Sequence, residues 1–344
     1  MNTLFLEPHD VLYLRGNKLF GDAGAHGEAL MPPWPSMAAG AIRSRLMAEN
    51  QTIESLADFR LTHFGLAQRK ADGSAEPLWP LPADLIVNSE TLDNATYFQP
   101  IPLENGIASS YALPLLPVFA ADKPSKPEGG LWLNREGIAA WLSGSPIKAS
   151  HLIRASQLWA TDPRLGIALD AEKRSAADGK IYTTETIALA KDVGFITASS
   201  GHTQQLANGD LLRLGGDGRA ATVHAITLNT PETDWDRIEK EGRFRLLLTT
   251  PGIFADGWQP EGISAELVAA AVSRAETISG WDLLTGKPKA AQRIAPTGSV
   301  FWFECHDKLV DLQALKNLVD NGLVLNDASR RAEGFNHCRI APWA

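Results

Sequence analysis

Cysteine is almost missing from this chain, which carries only Cys305 and Cys338. Two thiols make no disulfide framework, and a chain of 344 residues has enough apolar surface to fold without one. The expectation is two reduced thiols in a cytoplasmic protein. Long hydrophobic runs are missing as well. No stretch reaches the roughly 18 apolar residues of a membrane-spanning helix. The longest, from Tyr111 to Ala121, is broken by Pro114 and Pro117. The N-terminus has no basic region leading into an apolar one, so no signal peptide and no membrane partner are expected. A dinucleotide fingerprint and a phosphate loop ending in Gly-Lys-Ser/Thr are both absent. Positive charge is in deficit: 32 Lys and Arg against 40 Asp and Glu give a net charge of -8. That balance excludes whole-surface binding of nucleic acid and confines any such contact to a local groove.

What is present fits a folded protein, with 44% hydrophobic and 21% charged residues. Tryptophan is frequent at 10, against only 4 tyrosines. The 29 glycines and 21 prolines predict many turns.

Leu4 and Leu6, then Val11 and Tyr13, alternate around a bend at Pro8 and predict an opening strand. The segment PPWPS leads into a helix over MAAGAIRSRLMAEN, with Ser36 as its expected cap. Gly40 within it predicts close approach of a neighbouring element. RLTHF, residues 60–64, starts a second strand. LNREGIAAWLSG predicts a helix capped by Asn134, with Ile138, Trp141 and Leu142 on its apolar side. SQLWATDPRLGIALD is extended and ends in the charged excursion AEKRSAADGK, a loop at 162–182 that should project from the body. DLLRLGGDGRAATVHA reads as strand, glycine turn and strand. FRLLLTT and PTGSVFWFE are strands, VDLQALKNLVDNGL a helix, and GFNHCRIAPW a closing loop and strand. Residues 264–279 read equally as helix or strand. The sum is an α+β protein.

Seven blocks, in order, resemble the RAMP-superfamily head subunit of the type III-B CRISPR (Cmr) effector complex. They are Glu7-Pro8-His9-Asp10 with Arg15 and Phe20; PPWPSMAAGAIRSRL at 32–46; RLGIALDAEKR at 164–174 leading into GKIYTTE; LRLGGDGRAATV at 212–223; LLTTPGIFADGW at 247–258; the run from Gly280-Trp281 through Pro288-Lys289 to APTGSVFWFE; and GFNHCRIAPW at 334–343. Each is weak alone, but together they span nearly the whole chain. The resemblance implies two ferredoxin-like modules packed side by side. The expected division is 1–205 and 206–344, with the segment 325–344 packing back on the first module. It also implies a non-catalytic subunit without cofactor. Its partners would be the 5′ repeat-derived tag of the guide RNA (crRNA), the large polymerase-like subunit and the adjacent backbone subunit of the complex.

Candidate RNA contacts follow from side-chain chemistry. Gly215 and Gly216 let backbone come close to a phosphate beside Arg219, whose guanidinium matches phosphate geometry. A plain hairpin turn with a surface arginine is the competing reading. On the first helix Arg43 and Arg45 point apart; Arg43 either contacts RNA or pairs with Glu7 or Asp10. Lys173, Arg174 and Lys180 flank the projecting loop, which either wedges beside a nucleotide or holds a neighbouring subunit. Arg330 and Arg331 form the only adjacent arginine pair, followed by Asn336 and His337, which can read base edges.

Three other readings stay open. A guide-processing endoribonuclease would need a histidine-centred acid and base, and His26, in a glycine-rich loop, is the best candidate. A zinc site would join Cys305-His306 to His337-Cys338. A pure scaffold of the complex would make its RNA contacts only incidentally.

Overall fold

The computed structural model describes residues 2–16, 26–49, 52, 54–87, 95–103, 110–119, 128–170, 172–173, 175–201, 206–255, 257–282 and 286–343. The chain begins as β1 (Asn2–Pro8), whose alternation sends Leu4 and Leu6 to one face and Phe5 to the other. It crosses by α1 (Pro35–Ala48) to β2 (Arg60–Arg69). After a short edge strand at Ala75–Pro77 it leaves the sheet until residue 192. That excursion includes β3 (Leu131–Leu133), α2 (Arg135–Ser143) and a long hairpin of β4 (Trp159–Leu169) and β5 (Ala176–Leu189). The chain returns as β6 (Val193–Ser200), then forms β7 (Leu211–Arg213) and β8 (Ala220–Ala225).

The first sheet has the order β7-β8-β1-β6-β2, closed at its edge by a short strand at Ala75–Pro77. Its inner four strands, β8-β1-β6-β2, are antiparallel throughout. This is the 4-1-3-2 order of a ferredoxin-like unit, with the first crossover helix present as α1.

The second unit repeats the order. It consists of β9 (Arg243–Leu248), β10 (Glu266–Ala271), a small hairpin of β11 (Trp281–Asp282) and β12 (Lys287–Pro288), β13 (Val300–Glu304), α3 (Leu312–Asn321), α4 (Ala328–Ala332) and β14 (Cys338–Ala341). Its sheet runs β10-β13-β9-β14, again antiparallel. Here the second crossover helix is kept. The excursions of both units lie in one topological slot, the connection between the second and third strands of the ferredoxin-like order.

Residues 264–279, undecided from sequence, are strands at Glu266–Ala271 and Glu276–Ile278. The helix at 135–143 is capped as expected: Gly137 N donates to Asn134 Oδ1 at 2.9 Å. The cap of α1 is a correction. Trp34 stands at the N-cap with extended backbone and no side-chain cap bond, and Pro35 takes the first helical turn. Proline there needs no N–H and presets φ, so Ser36 falls inside the helix.

Gly40 is a second correction. A Cβ built there meets nothing within 4 Å, so no neighbour requires the glycine. Gly40→Ala is therefore expected to stabilise the chain by roughly 1 kcal/mol, measured as a raised thermal midpoint.

The excursion after Pro77 joins the two sheets. In β3, successive side chains face opposite ways: Trp132 enters the core under the first sheet, and Leu133 enters the core under the second. Trp79, Leu85, Ile138, Trp141 and Leu142 pack on the second sheet with Leu247, Val300 and Trp302. By sequence position these residues fall in the first module, but by packing they belong to the second. A buried ion pair locks them there. Arg245 Nη1 meets Asp84 Oδ2 at 2.5 Å, and the two side chains are 1% and 0% exposed.

Candidate nucleic-acid interface

α1 covers one face of the first sheet and carries Arg43 and Arg45. Arg45 is committed within the protein, paired with Glu49 one turn on and with Asp210 at 3.7 Å. Arg43 is half-buried and has no ion pair among the described residues. The carboxylates that competed for it are taken. Glu7 accepts from Arg69 at 2.9 Å and contacts His224 Nε2 at 2.7 Å, and Asp10 binds Arg219 at 2.5 Å.

The glycine turn between β7 and β8 is used differently from the expectation. Gly215 has φ +77°, and a Cβ there would lie 2.8 Å from the Tyr13 carbonyl oxygen. Gly216 N donates to that same oxygen at 2.8 Å. The close approach serves the protein's own segment after β1. Arg219 lies over the Tyr13 ring and holds Asp10 and, at 3.4 Å, Asp217. The turn is thus a clamp across the end of the sheet.

The terminal loop is the main correction. Arg330 is 2% exposed, and its guanidinium donates to Gln292 Oε1, Glu333 Oε2 and the Ser279 carbonyl, each at 3.0 Å. Asn336 is fully buried; it accepts from Ile253 N and donates to the carbonyls of Ile253 and Val324. His337 Nε2 lies 3.0 Å from the Leu61 carbonyl on β2, so it carries the proton and latches the closing strand to the first unit. Burial lowers its pKa, which keeps the imidazole neutral. These three residues hold the protein together and present no edge to a base. Segment 325–344 accordingly supplies β14 to the second sheet and touches the first at Leu61. Arg331, by contrast, is exposed and has no ion pair among the described residues.

The projecting loop is a hairpin, with β4 and β5 antiparallel. Lys173 lies exposed in its end turn, which Asp170 braces by accepting from the backbone N–H groups of Glu172 and Lys173. Arg174 and the side chain of Lys180 lie outside the described residues. One face of the hairpin exposes Leu165, Ile167, Leu169 and Ile181, at 73%, 49%, 65% and 54%. On the other face Tyr182 covers Gly166, where a Cβ would come within 2.6 Å of the ring. The exposed aliphatic face was legible as the alternation Leu165, Ile167, Leu169, but sequence reasoning read the segment only for its charges.

No group of three metal-ligating side chains occurs among the described residues. The proposed Cys-His pairs do not converge: His306 is 96% exposed while Cys338 is buried. His26 pairs with Glu185 at 3.3 Å. No helix is long and apolar enough to cross a membrane.

Two ferredoxin-like units in tandem, joined by a long excursion and carrying a protruding hairpin, define a RAMP-type architecture. A family model described as "CRISPR-associated protein (Cas_Cmr3)" matches residues 4–343. The chain belongs to that family, and so has the general role of a non-catalytic RNA-binding subunit in a type III CRISPR effector. Two solved structures share the fold. One chain, from the cryo-EM structure of the Type III-B Cmr-beta bound to cognate target RNA and AMPPnP, superposes with a TM-score of 0.55 at 15% identity, over 96% of this chain and 91% of its own. Another, from the Cmr-beta bound to cognate target RNA, gives 0.51 at 14% identity over 98% of both chains. No curated protein matches the sequence.

Proposed function

We propose that this chain grips the 5′ repeat-derived tag of the guide RNA and bridges the large polymerase-like subunit to the backbone subunits of its effector. The observation that carries the reading is Arg43. A half-buried guanidinium without a carboxylate partner among the described residues is available to an outside acceptor, and a phosphate oxygen is its natural one. Lys173 and Arg331 are exposed cations of the same kind, on the hairpin and on α4. The fold relatives come from assemblies bound to cognate target RNA, which agrees with this reading. A net charge of -8 suits contacts confined to such isolated cations, with acidic surface elsewhere.

Site-resolved crosslinking of the assembled complex tests it. Tag nucleotides are expected to crosslink to peptides carrying Arg43, Lys173 or Arg331. Arg43→Ala is expected to weaken guide retention about tenfold, as for one charge-assisted hydrogen bond of roughly 1.5 kcal/mol. An intact complex whose tag crosslinks only to other subunits would leave this chain as a scaffold.

A further inference from the structure

Of the ten tryptophans, five are buried, four are partly covered, and one, Trp281, is exposed, at 59%. An aromatic of this size left in water stands out in a chain that buries or partly covers its other nine tryptophans. Trp281 sits on the small hairpin of β11 and β12, paired across the strands with Pro288. That hairpin occupies, in the second unit, the topological slot that the long β4–β5 hairpin occupies in the first.

The hairpin is held firmly at its base. Lys289 N donates to the Gly280 carbonyl at 2.8 Å, and the Lys289 ammonium pairs with Glu333. Arg330, buried in α4, donates to the Ser279 carbonyl just before the hairpin and to Gln292 just after it. The ring is therefore carried on anchored backbone, and little ordering remains for a ligand to impose.

Beyond Asp282, which stands opposite Lys287 across the hairpin, the charge of the sequence departs from the acidic whole. From Lys287 to Phe303 the sequence has three cations, Lys287, Lys289 and Arg293, and no carboxylate. Lys289 is used internally, but Lys287 and Arg293 are exposed and have no ion pair among the described residues. An exposed indole on a hairpin that also carries Lys287, with Arg293 further along the same acid-free stretch, is the chemistry of a stacking platform for single-stranded nucleic acid. The ring takes a base face, and the cations take the phosphates on either side. An interface core with another protein shares the tryptophan and arginine but is depleted of lysine, and here Lys287 lies on the hairpin itself.

We propose that Trp281, with Lys287 and Arg293, stacks an unpaired nucleotide of the guide RNA, at a contact separate from the Arg43 face. The proposal rests on the RNA-binding reading above.

The test uses the complex reconstituted with guide RNA. Ultraviolet crosslinking and peptide mapping are expected to find a crosslink to the Trp281 peptide. Trp281→Ala is expected to abolish it and to speed release of the RNA roughly tenfold, whereas Trp281→Phe keeps a stacking ring and most of the effect. Lys287→Ala and Arg293→Ala are each expected to lower the slope of log affinity against log salt by about 0.7. Because the ring is exposed, the thermal midpoint should not move, and that measurement excludes misfolding as the cause. If RNA crosslinks elsewhere on this chain and Trp281→Ala leaves both crosslinks and release unchanged, the platform is refuted while the RNA-binding reading stands. If Trp281→Ala releases a protein subunit and leaves RNA contacts intact, the patch is a protein interface and the proposal is wrong. If no part of the chain touches RNA, both fall.

Discussion

Arg245→Ala is expected to destabilise the second unit by about 3–5 kcal/mol, the usual cost of orphaning one member of a buried ion pair. The reason lies in how completely the pair is enclosed. Asp84 Oδ1 also accepts from Trp141 Nε1 at 3.0 Å, and Arg245 donates to the carbonyls of Pro342 and Trp141 at 2.9 and 3.1 Å. The guanidinium carbon lies 4.6 Å from the Trp141 ring centre and 4.8 Å from that of Tyr97. Burial pushes the Tyr97 hydroxyl up to about 12 and raises Asp84, while Arg245 pulls the Asp84 carboxyl back toward its charged form. Removing the arginine leaves a carboxylate in a dry core with one indole N–H for company. Urea titration should show a lower midpoint for Arg245→Ala. A double change, Asp84→Leu with Arg245→Met, should recover most of the loss, because apolar groups of similar volume need no solvation. An unchanged midpoint for Arg245→Ala would refute this account of the core.

The second large effect is expected on assembly and not on folding. Leu165, Ile167, Leu169 and Ile181 are four of the ten exposed large apolar side chains among the described residues, and all lie on one hairpin. A two-stranded ribbon with a bare aliphatic face is incomplete by itself, since it exposes surface that water disfavours. Changing Leu165, Ile167 and Leu169 together to serine should leave the thermal midpoint of the isolated chain within about 1 °C, because these side chains bury little in it. It should lower recovery in the assembled effector by about a hundredfold, if each side chain contributes roughly 1 kcal/mol of burial in the complex. Pull-down of this chain with the other subunits and guide RNA reads the difference. Undiminished assembly would show that the hairpin face meets nothing.

Much of the local structure was legible in the sequence. The alternation in β1, the Asn134 cap and the strong strand at 300–304 are short-range signals, and each appears where it was expected. The helix at Ser36 began two residues earlier because proline at the first position is a better entry than a serine cap. Legibility failed wherever a side chain had a choice of distant partner. Arg219 and Arg330 look alike in sequence to Arg43 and Arg331. The first pair is spent on Asp10 and Glu333, while the second has no ion pair among the described residues. Trp281 was missed although an acid-free run beginning at Leu283, two residues later, follows it.

The sequence by itself determined the family, the α+β class, most of the strands and helices, and the need for any RNA contact to be local. It could do so because periodicity, turn chemistry and composition act over a few residues or over the whole chain. Tertiary structure alone decided which module Trp79, Leu85, Ile138, Trp141 and Leu142 pack on, which arginines are consumed internally and which large apolar groups remain in water. Those outcomes depend on pairs such as Asp84 and Arg245, 161 residues apart, whose meeting is set by the stacking of two sheets and not by any local preference.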